Sequence, residues 1–200
     1  MRCFRSTIVA GILGVLSALG CAHQPIDPTL AHPELAVVRV ANSGSPPVAG
    51  CGFIISSDGL VVTTSRIIAG GGPINVRLSD GRTLPAMLME DDPFGDVAIL
   101  KIPGSSYPFL HLAGDDVNPI MHIRVVSLAG VSDGVFDRWE NSGAAIGFTA
   151  RVSAADSGAP VLADSRLVIG VVREPSPTPA SPQLATPIWH VVRMLPGPPE

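Results

Sequence analysis

Short apolar runs broken by turn residues make up most of this chain, and they constrain its fold more than any other feature. The runs are rich in Val and Ile, and 21 glycines and 20 prolines punctuate the 200 residues. Asp58-Gly59 and Asp80-Gly81 each separate two such runs, which is the turn chemistry of a β-hairpin. Long amphipathic helical patterns, internal repeats and coiled-coil heptads are absent from the sequence. The sequence therefore predicts an all-β domain with many tight turns.

The predicted strands fall into two successive groups. Those of the first group are 35–40, 51–56, 60–64, 74–78, 83–89 and 96–102, and those of the second are 122–128, 144–152, 160–163, 167–172 and 184–187. A single helical turn is expected at 67–70 and a proline-rich loop at 173–182. Residues 188–195 have apolar side chains on one helical face, which predicts a terminal helix.

Composition excludes several classes of function. The formal net charge is −4, so no basic excess points to a nucleic-acid partner. A chain of this length, 46% hydrophobic, suits one globular domain and a targeting segment. His23 and His32 are not expected to form a zinc site, and neither a metal nor a cofactor is predicted.

The N-terminus has the pattern of a bacterial export signal. Arg2 and Arg5 precede the apolar run 8–19, which is too short to span a bilayer comfortably. The exit, Ala18-Leu19-Gly20-Cys21, resembles the lipobox of bacterial lipoproteins, which implies residues 1–20 as the signal and acylation of Cys21. The alternative is an ordinary cleaved signal. The following residue is not acidic, which by resemblance favours the outer membrane, and residues 21–34 are predicted to be a flexible tether.

Processing at Cys21 would leave one further thiol, Cys51, in the mature chain. If Cys21 is acylated, an intrachain disulfide is impossible. Cys51 is predicted to be a small packed residue at the start of a strand.

Four segments resemble the HtrA/Deg family of trypsin-like serine proteases. In chain order they are CGFIISSDGLVVTT (51–64), INVRLSDGR (74–82), DDPFGDVAILKI (91–102) and ATPI (185–188). The resemblance covers roughly residues 35–195. It implies a trypsin/chymotrypsin-like double β-barrel with a short C-terminal helix, with barrels at about 35–104 and 105–195. The active site of the family lies in the cleft between the barrels.

The resemblance also implies where the catalytic residues fall. The aspartate of the family's Asp-x-Ala-x-Leu-Lys pattern falls on Asp96, and its serine, in Ala-Asp-Ser-Gly-Ala-Pro, on Ser157. The position of the histidine holds Arg66. Arginine stays protonated and has no acceptor lone pair, so it cannot take the serine proton. Loss of that base alone costs on the order of a million-fold in turnover.

Further departures from the family pattern also indicate a loss of proteolytic activity. The oxyanion hole is implied to use backbone N–H groups of Ala155, Asp156 and Ser157, but alanine replaces the usual first glycine. The 61 residues from Asp96 to Ser157 (157 − 96) imply short pocket and activation loops, and the family's PDZ domain is not expected to follow. Arg66 either pairs with Asp96 or points to solvent.

The sequence is compatible with three functions. The first is an envelope lipoprotein, anchored in the outer membrane and facing the periplasm, whose trypsin-like domain is an inactive pseudoprotease that binds a peptide or protein in its cleft. The second is an active serine endopeptidase that uses Ser157 with a non-standard base. None of His111, His122 and His190 is an obvious substitute for that base. The third is a purely structural envelope lipoprotein.

Overall fold

The computed structural model describes residues 31–114, 122–163, 166–175 and 182–195. Within these residues twelve strands form two closed, antiparallel six-stranded barrels, and helices are few and short. The predicted all-β double barrel is therefore confirmed. The predicted export signal, Cys21 and most of the predicted tether lie outside the described residues. In the described part, no helix is long and apolar enough to cross a membrane.

The first barrel contains β1 to β6 in the order β1-β2-β3-β6-β5-β4. Its strands are β1 (Val37–Asn42), β2 (Val48–Ile54), β3 (Leu60–Thr63), β4 (Ile74–Arg77), β5 (Thr83–Asp92) and β6 (Val97–Lys101). The two Asp-Gly turns join β2 to β3 and β4 to β5. Gly59 and Gly81 have φ values of 95° and 89°, which glycine adopts without strain.

The second barrel contains β7 to β12 in the order β10-β11-β12-β9-β8-β7. Its strands are β7 (His122–Ser127), β8 (Gly130–Glu140), β9 (Ala145–Phe148), β10 (Pro160–Ala163), β11 (Val168–Val172) and β12 (Gln183–Pro187). Sequence reasoning missed β8. Most of this strand is exposed and several of its residues are charged, and only Phe136 is fully buried. An apolar alternation is therefore missing, although the backbone pairs with both neighbours.

Two short α-helices position parts of the cleft: α1 (Ser65–Ile68) follows β3, and α2 (Trp189–Met194) follows β12. Three 3-10 helices occur at Pro33–Ala36, Asn141–Gly143 and Ala154–Asp156. The first of them corrects the expected strand start at residue 35, because a proline in its first turn favours helical geometry and β1 begins only at Val37. Pro33, near the end of the predicted tether, is buried.

The two barrels meet around the serine turn. Phe53 fills the first barrel and Phe148 the second, and both side chains are fully buried. The Cys51 N–H, in β2, donates to the Ser157 carbonyl oxygen at 2.8 Å. The two barrels are therefore joined by a backbone hydrogen bond at Ser157.

Candidate active site

The Ser157 turn is fixed by a capping box. The Ser153 N–H and hydroxyl donate to Asp156 Oδ2 at 2.7 and 2.8 Å, which starts the 3-10 helix Ala154–Asp156. Ser157 follows that helix directly. Gly158 comes next, with φ at 89°, and its N–H donates to the Val172 carbonyl at 2.8 Å. These contacts place Ser157 at a sharp turn into β10, as the resemblance implied.

A second hydroxyl, and not a base, lies next to the Ser157 side chain. Thr64 Oγ1 and Ser157 Oγ are 3.4 Å apart, and either can be the donor. Within the described residues this is the only side-chain hydrogen bond of Ser157 Oγ. Ser157 itself is only 5% exposed. A threonine hydroxyl cannot hold the serine proton at neutral pH, so this contact does not activate the oxygen.

Arg66 is held by Asp96. The Arg66 backbone N–H donates to Asp96 Oδ1 at 3.2 Å, and its Nε and Nη2 donate to Oδ2 at 3.1 and 2.6 Å. Its Nη1 pairs with Glu174, which follows β11 in the second barrel. The structure therefore shows pairing with Asp96, one of the two arrangements left open by the sequence.

The electrostatics of this cluster keep Arg66 charged. Burial disfavours the charged guanidinium, but the hydrogen bonds and charges of Asp96 and Glu174 outweigh burial and raise the pKa of Arg66 above its ordinary value. A guanidinium in this setting cannot act as a general base.

Asp96 sits in a supported turn between β5 and β6. Its φ is 54°, an uncommon value for a non-glycine residue. Asp92 Oδ1 accepts the N–H groups of Phe94 and Gly95 at 3.1 and 3.0 Å. Asp92 Oδ2 pairs with His190 Nδ1 at 3.0 Å. Burial alone would raise the pKa of Asp92, but the Gly95 N–H and His190 lower it below its usual range.

A second support reaches the same turn from the other barrel. Thr186, in β12, donates its hydroxyl to the Gly95 carbonyl. Arg173 Nε donates to the Thr186 hydroxyl at 2.8 Å, and Arg173 Nη2 donates to the Ala144 carbonyl at 3.0 Å. Sequence reasoning missed Asp92, Thr186 and Arg173, because nothing in their local sequence distinguishes a support across the cleft from an ordinary surface residue.

Two of the three predicted oxyanion donors are occupied. The Asp156 N–H donates to the Ser153 carbonyl at 2.9 Å. The Ser157 N–H donates to the Ala154 carbonyl at 3.4 Å, inside the 3-10 turn. The Ala155 carbonyl accepts from Cys51 Sγ at 3.4 Å. An oxyanion hole needs N–H groups that aim at the developing negative charge. In this conformation the Ser157 N–H is aimed at a neighbouring carbonyl instead.

The three candidate replacement bases lie in other surroundings. His190 is paired with Asp92 and stacks on Trp189, with 3.8 Å between the ring centroids. His111 packs edge-on against Phe109. His122 begins β7 and lines a cavity with Arg124 and Arg166. In the part of the chain that the structure describes, no group of His, Cys, Asp or Glu is arranged to hold a metal ion.

Two closed barrels with a serine turn between them define a trypsin-like domain, and comparison with known proteins agrees. A family model described as "Trypsin-like peptidase domain" matches residues 50–171. The chain belongs to this family of trypsin-like peptidase domains.

Relatives by sequence are DegP-like periplasmic serine endoproteases. The protein of Pseudomonas putida strain GB-1 is 46% identical over 67 residues, which are 34% of this chain and 14% of that protein. The protein of Brucella suis is 40% identical over 75 residues, covering 38% and 15% of the two chains. The chain thus matches about one seventh of the length of these relatives, in an HtrA/Deg-like segment.

A solved structure shows the same fold. The HtrA-type protease AlgW, solved with a tripeptide, superposes with a TM-score of 0.73 at 21% identity. The match covers 84% of this chain and 62% of that chain. This likeness concerns the fold, and the roles of Arg66, Asp96 and Ser157 remain predictions.

Proposed function

We propose that this protein is an envelope lipoprotein whose trypsin-like domain is a pseudoprotease that binds a peptide or protein in its cleft. The main evidence for an inactive protease is the Arg66–Asp96 ion pair. Asp96 is the carboxylate expected to orient the catalytic base, and it accepts three hydrogen bonds from Arg66 instead. A permanently charged guanidinium has no lone pair for the serine proton.

The state of Ser157 supports the same reading. Its hydroxyl has Thr64 as its neighbour, and its N–H is bonded to the Ala154 carbonyl. Removal of one oxyanion donor typically costs a factor of about 100 to 1,000 in turnover. Two separate elements of proteolysis, the base and the oxyanion donor, are therefore compromised in this arrangement.

Binding in the cleft is supported by the family resemblance, because the active site of trypsin-like proteases lies between the two barrels and the present chain has both barrels. The location in the envelope is supported by the export signal with Cys21 and by relatives that are named periplasmic. We assign the protein to the outer membrane, facing the periplasm, because Ala22, which follows Cys21, is not acidic.

The test is labelling with a fluorophosphonate, which forms a covalent bond with an activated serine oxygen as fluoride leaves. Wild-type protein and a Ser157→Ala variant should label equally weakly, and neither should hydrolyse casein, while active trypsin labels strongly in parallel. Labelling or casein hydrolysis that depends on Ser157 would overturn the pseudoprotease proposal and support an active endopeptidase with a non-standard base.

A further inference from the structure

Arg66 has two carboxylate partners that differ in burial. Asp96 belongs to the same barrel, its side chain is 14% exposed, and it accepts three hydrogen bonds from Arg66. Glu174 belongs to the other barrel, its side chain is 67% exposed, and it contacts Nη1 alone. Asp96 therefore fixes the guanidinium in place, and Glu174 is the weaker partner.

Glu174 can be exchanged for another anion at low cost. An exposed ion pair contributes little to stability, because solvent screens it and both side chains lose rotamer freedom. The Arg66 side chain is 38% exposed, so solvent and a dissolved ligand can reach it. Departure of Glu174 leaves Nη1 of a fixed, charged guanidinium open to a new acceptor.

A second cation, Arg173, interacts electrostatically with Arg66. Burial lowers the pKa of Arg173, the charge of Asp96 opposes that effect, and the charge of Arg66 adds to it. Arg173 is held in place by the Thr186 hydroxyl and the Ala144 carbonyl. Asp96 and Asp92 are the carboxylates that act on Arg173, and Glu174 is the acid that contacts Nη1 of Arg66. A ligand without a negative charge would leave Nη1 without its ionic partner.

We propose that Arg66 is a carboxylate receptor, and that a peptide ligand binds in the cleft by placing a carboxylate on Nη1 in the position of Glu174. This inference rests on the proposed peptide-binding function and adds the chemical class of its ligand. Guanidinium groups bind carboxylates through strong, charge-assisted hydrogen bonds. The exchange replaces one carboxylate on Nη1 by another, so this nitrogen keeps an ionic partner. Glu174 then acts as an internal competitor of the ligand.

The experiment measures binding of three fluorescein-labelled peptides to the full chain in detergent by fluorescence anisotropy. The probes are tri-alanine with a free C-terminus, tri-alanine amide, and Ala-Glu-Ala amide. We expect the free acid to bind at least tenfold more tightly than tri-alanine amide. Binding of Ala-Glu-Ala amide as well would identify any accessible carboxylate as the ligand group. If it does not bind, the C-terminal carboxylate is the ligand group.

Variants separate the roles of the two residues. Glu174→Gln removes the competitor, so affinity for the free acid should increase about two- to fivefold, the range expected for loss of an exposed ion pair. Arg66→Lys keeps the charge but loses the planar fork, so the preference for the acid should fall several-fold. Glu140→Gln, which removes a different ion pair of the second barrel, should leave the affinity unchanged.

The outcomes distinguish this inference from the function on which it rests. Equal binding of the acid and both amides, unaffected by Glu174→Gln, would overturn the carboxylate receptor and leave peptide binding intact. Failure of all three peptides to bind both wild type and Glu174→Gln would overturn peptide binding itself, and the inference with it.

Discussion

At Gly158 a side chain is excluded by the neighbouring strand as well as by the backbone conformation. Its φ of 89° is unfavourable for other residues, and a Cβ would lie 2.1 Å from the Cys51 carbonyl oxygen. That oxygen also accepts a hydrogen bond from the Thr63 hydroxyl at 2.8 Å. The serine turn can therefore approach β2 so closely only with glycine after Ser157.

Gly158→Ala should lower the free energy of unfolding by more than about 2 kcal/mol, because it combines backbone strain with a clash against main chain. Urea unfolding followed by circular dichroism measures the change. Gly81→Ala is the matched control, since Gly81 has the same φ of 89° and open space where the Cβ would lie. Equal losses of stability in the two variants would show that the close approach of Gly158 to the Cys51 carbonyl adds nothing to the cost of the substitution.

Cys51 is a buried free thiol, as the sequence predicted for a packed residue. Burial raises its pKa from 9.0 to about 11. Between these two values the unfolded thiol has lost its proton while the folded thiol keeps it. The folded state then binds more protons, so its stability falls as the pH rises.

The free energy of unfolding should therefore decrease by up to about 2–3 kcal/mol between pH 9 and about pH 11 through Cys51 alone. Urea unfolding across this range, compared with Cys51→Ser, isolates the contribution, because the serine hydroxyl does not titrate there. Parallel curves for the two proteins would contradict the assignment. The other titrating groups are shared by both proteins and cancel.

At the scale of elements, the hairpins and motifs could be predicted from sequence because their causes are local. Asp-Gly turns fix β2–β3 and β4–β5, and the pattern around Asp96 marks β6. What could not be predicted depends on partners far along the chain. The exposed strand β8 is defined by pairing with β7 and β9, and the contacts of Glu174 and Thr186 join segments about 90 to 110 residues apart.

The conformation of the 3-10 turn before Ser157 also could not be predicted from the sequence. The sequence indicated the turn and the substitution at Ala155. It did not indicate the capping box of Ser153 and Asp156, or the bond from the Ser157 N–H to the Ala154 carbonyl. The conformation of such a turn is set by a competition among several acceptors, and the residue types alone do not decide it.

This turn predicts the outcome of an attempt to rebuild the catalytic base. Arg66→His would supply an acceptor near Asp96, but the Ser157 N–H would remain bonded to Ala154. We expect slow, Ser157-dependent fluorophosphonate labelling and little peptide turnover. Adding Ala155→Gly gives the turn more backbone freedom and should raise both rates.

The test measures the rates of fluorophosphonate labelling and peptide hydrolysis for Arg66→His alone and for Arg66→His with Ala155→Gly. Arg66→His/Ser157→Ala is the control. A folded double variant, Arg66→His with Ala155→Gly, that is as unreactive as wild type would show that these positions do not form a latent triad. The remodelling of the cleft would then extend beyond them.

At the scale of the whole molecule, attachment to a membrane is the main prediction from the N-terminus. Lipoprotein processing would supply more than one acyl chain, and two are needed for stable anchoring. Cys21→Ser should release the protein from the membrane fraction or leave it unprocessed. Fractionation of cells followed by immunoblotting measures this. Wild-type protein recovered in the soluble periplasmic fraction would contradict lipidation, and Cys51→Ser is the control that should stay membrane-bound.

Closure of both barrels has a consequence for the protein in a crowded compartment. Each of the twelve described strands is hydrogen-bonded to two neighbours, so the folded sheets offer no unpaired edge on which another chain could add a strand. That protection begins only when the last strand of each barrel has paired. The period of greatest aggregation risk is therefore the interval before barrel closure, while strand edges are still unpaired.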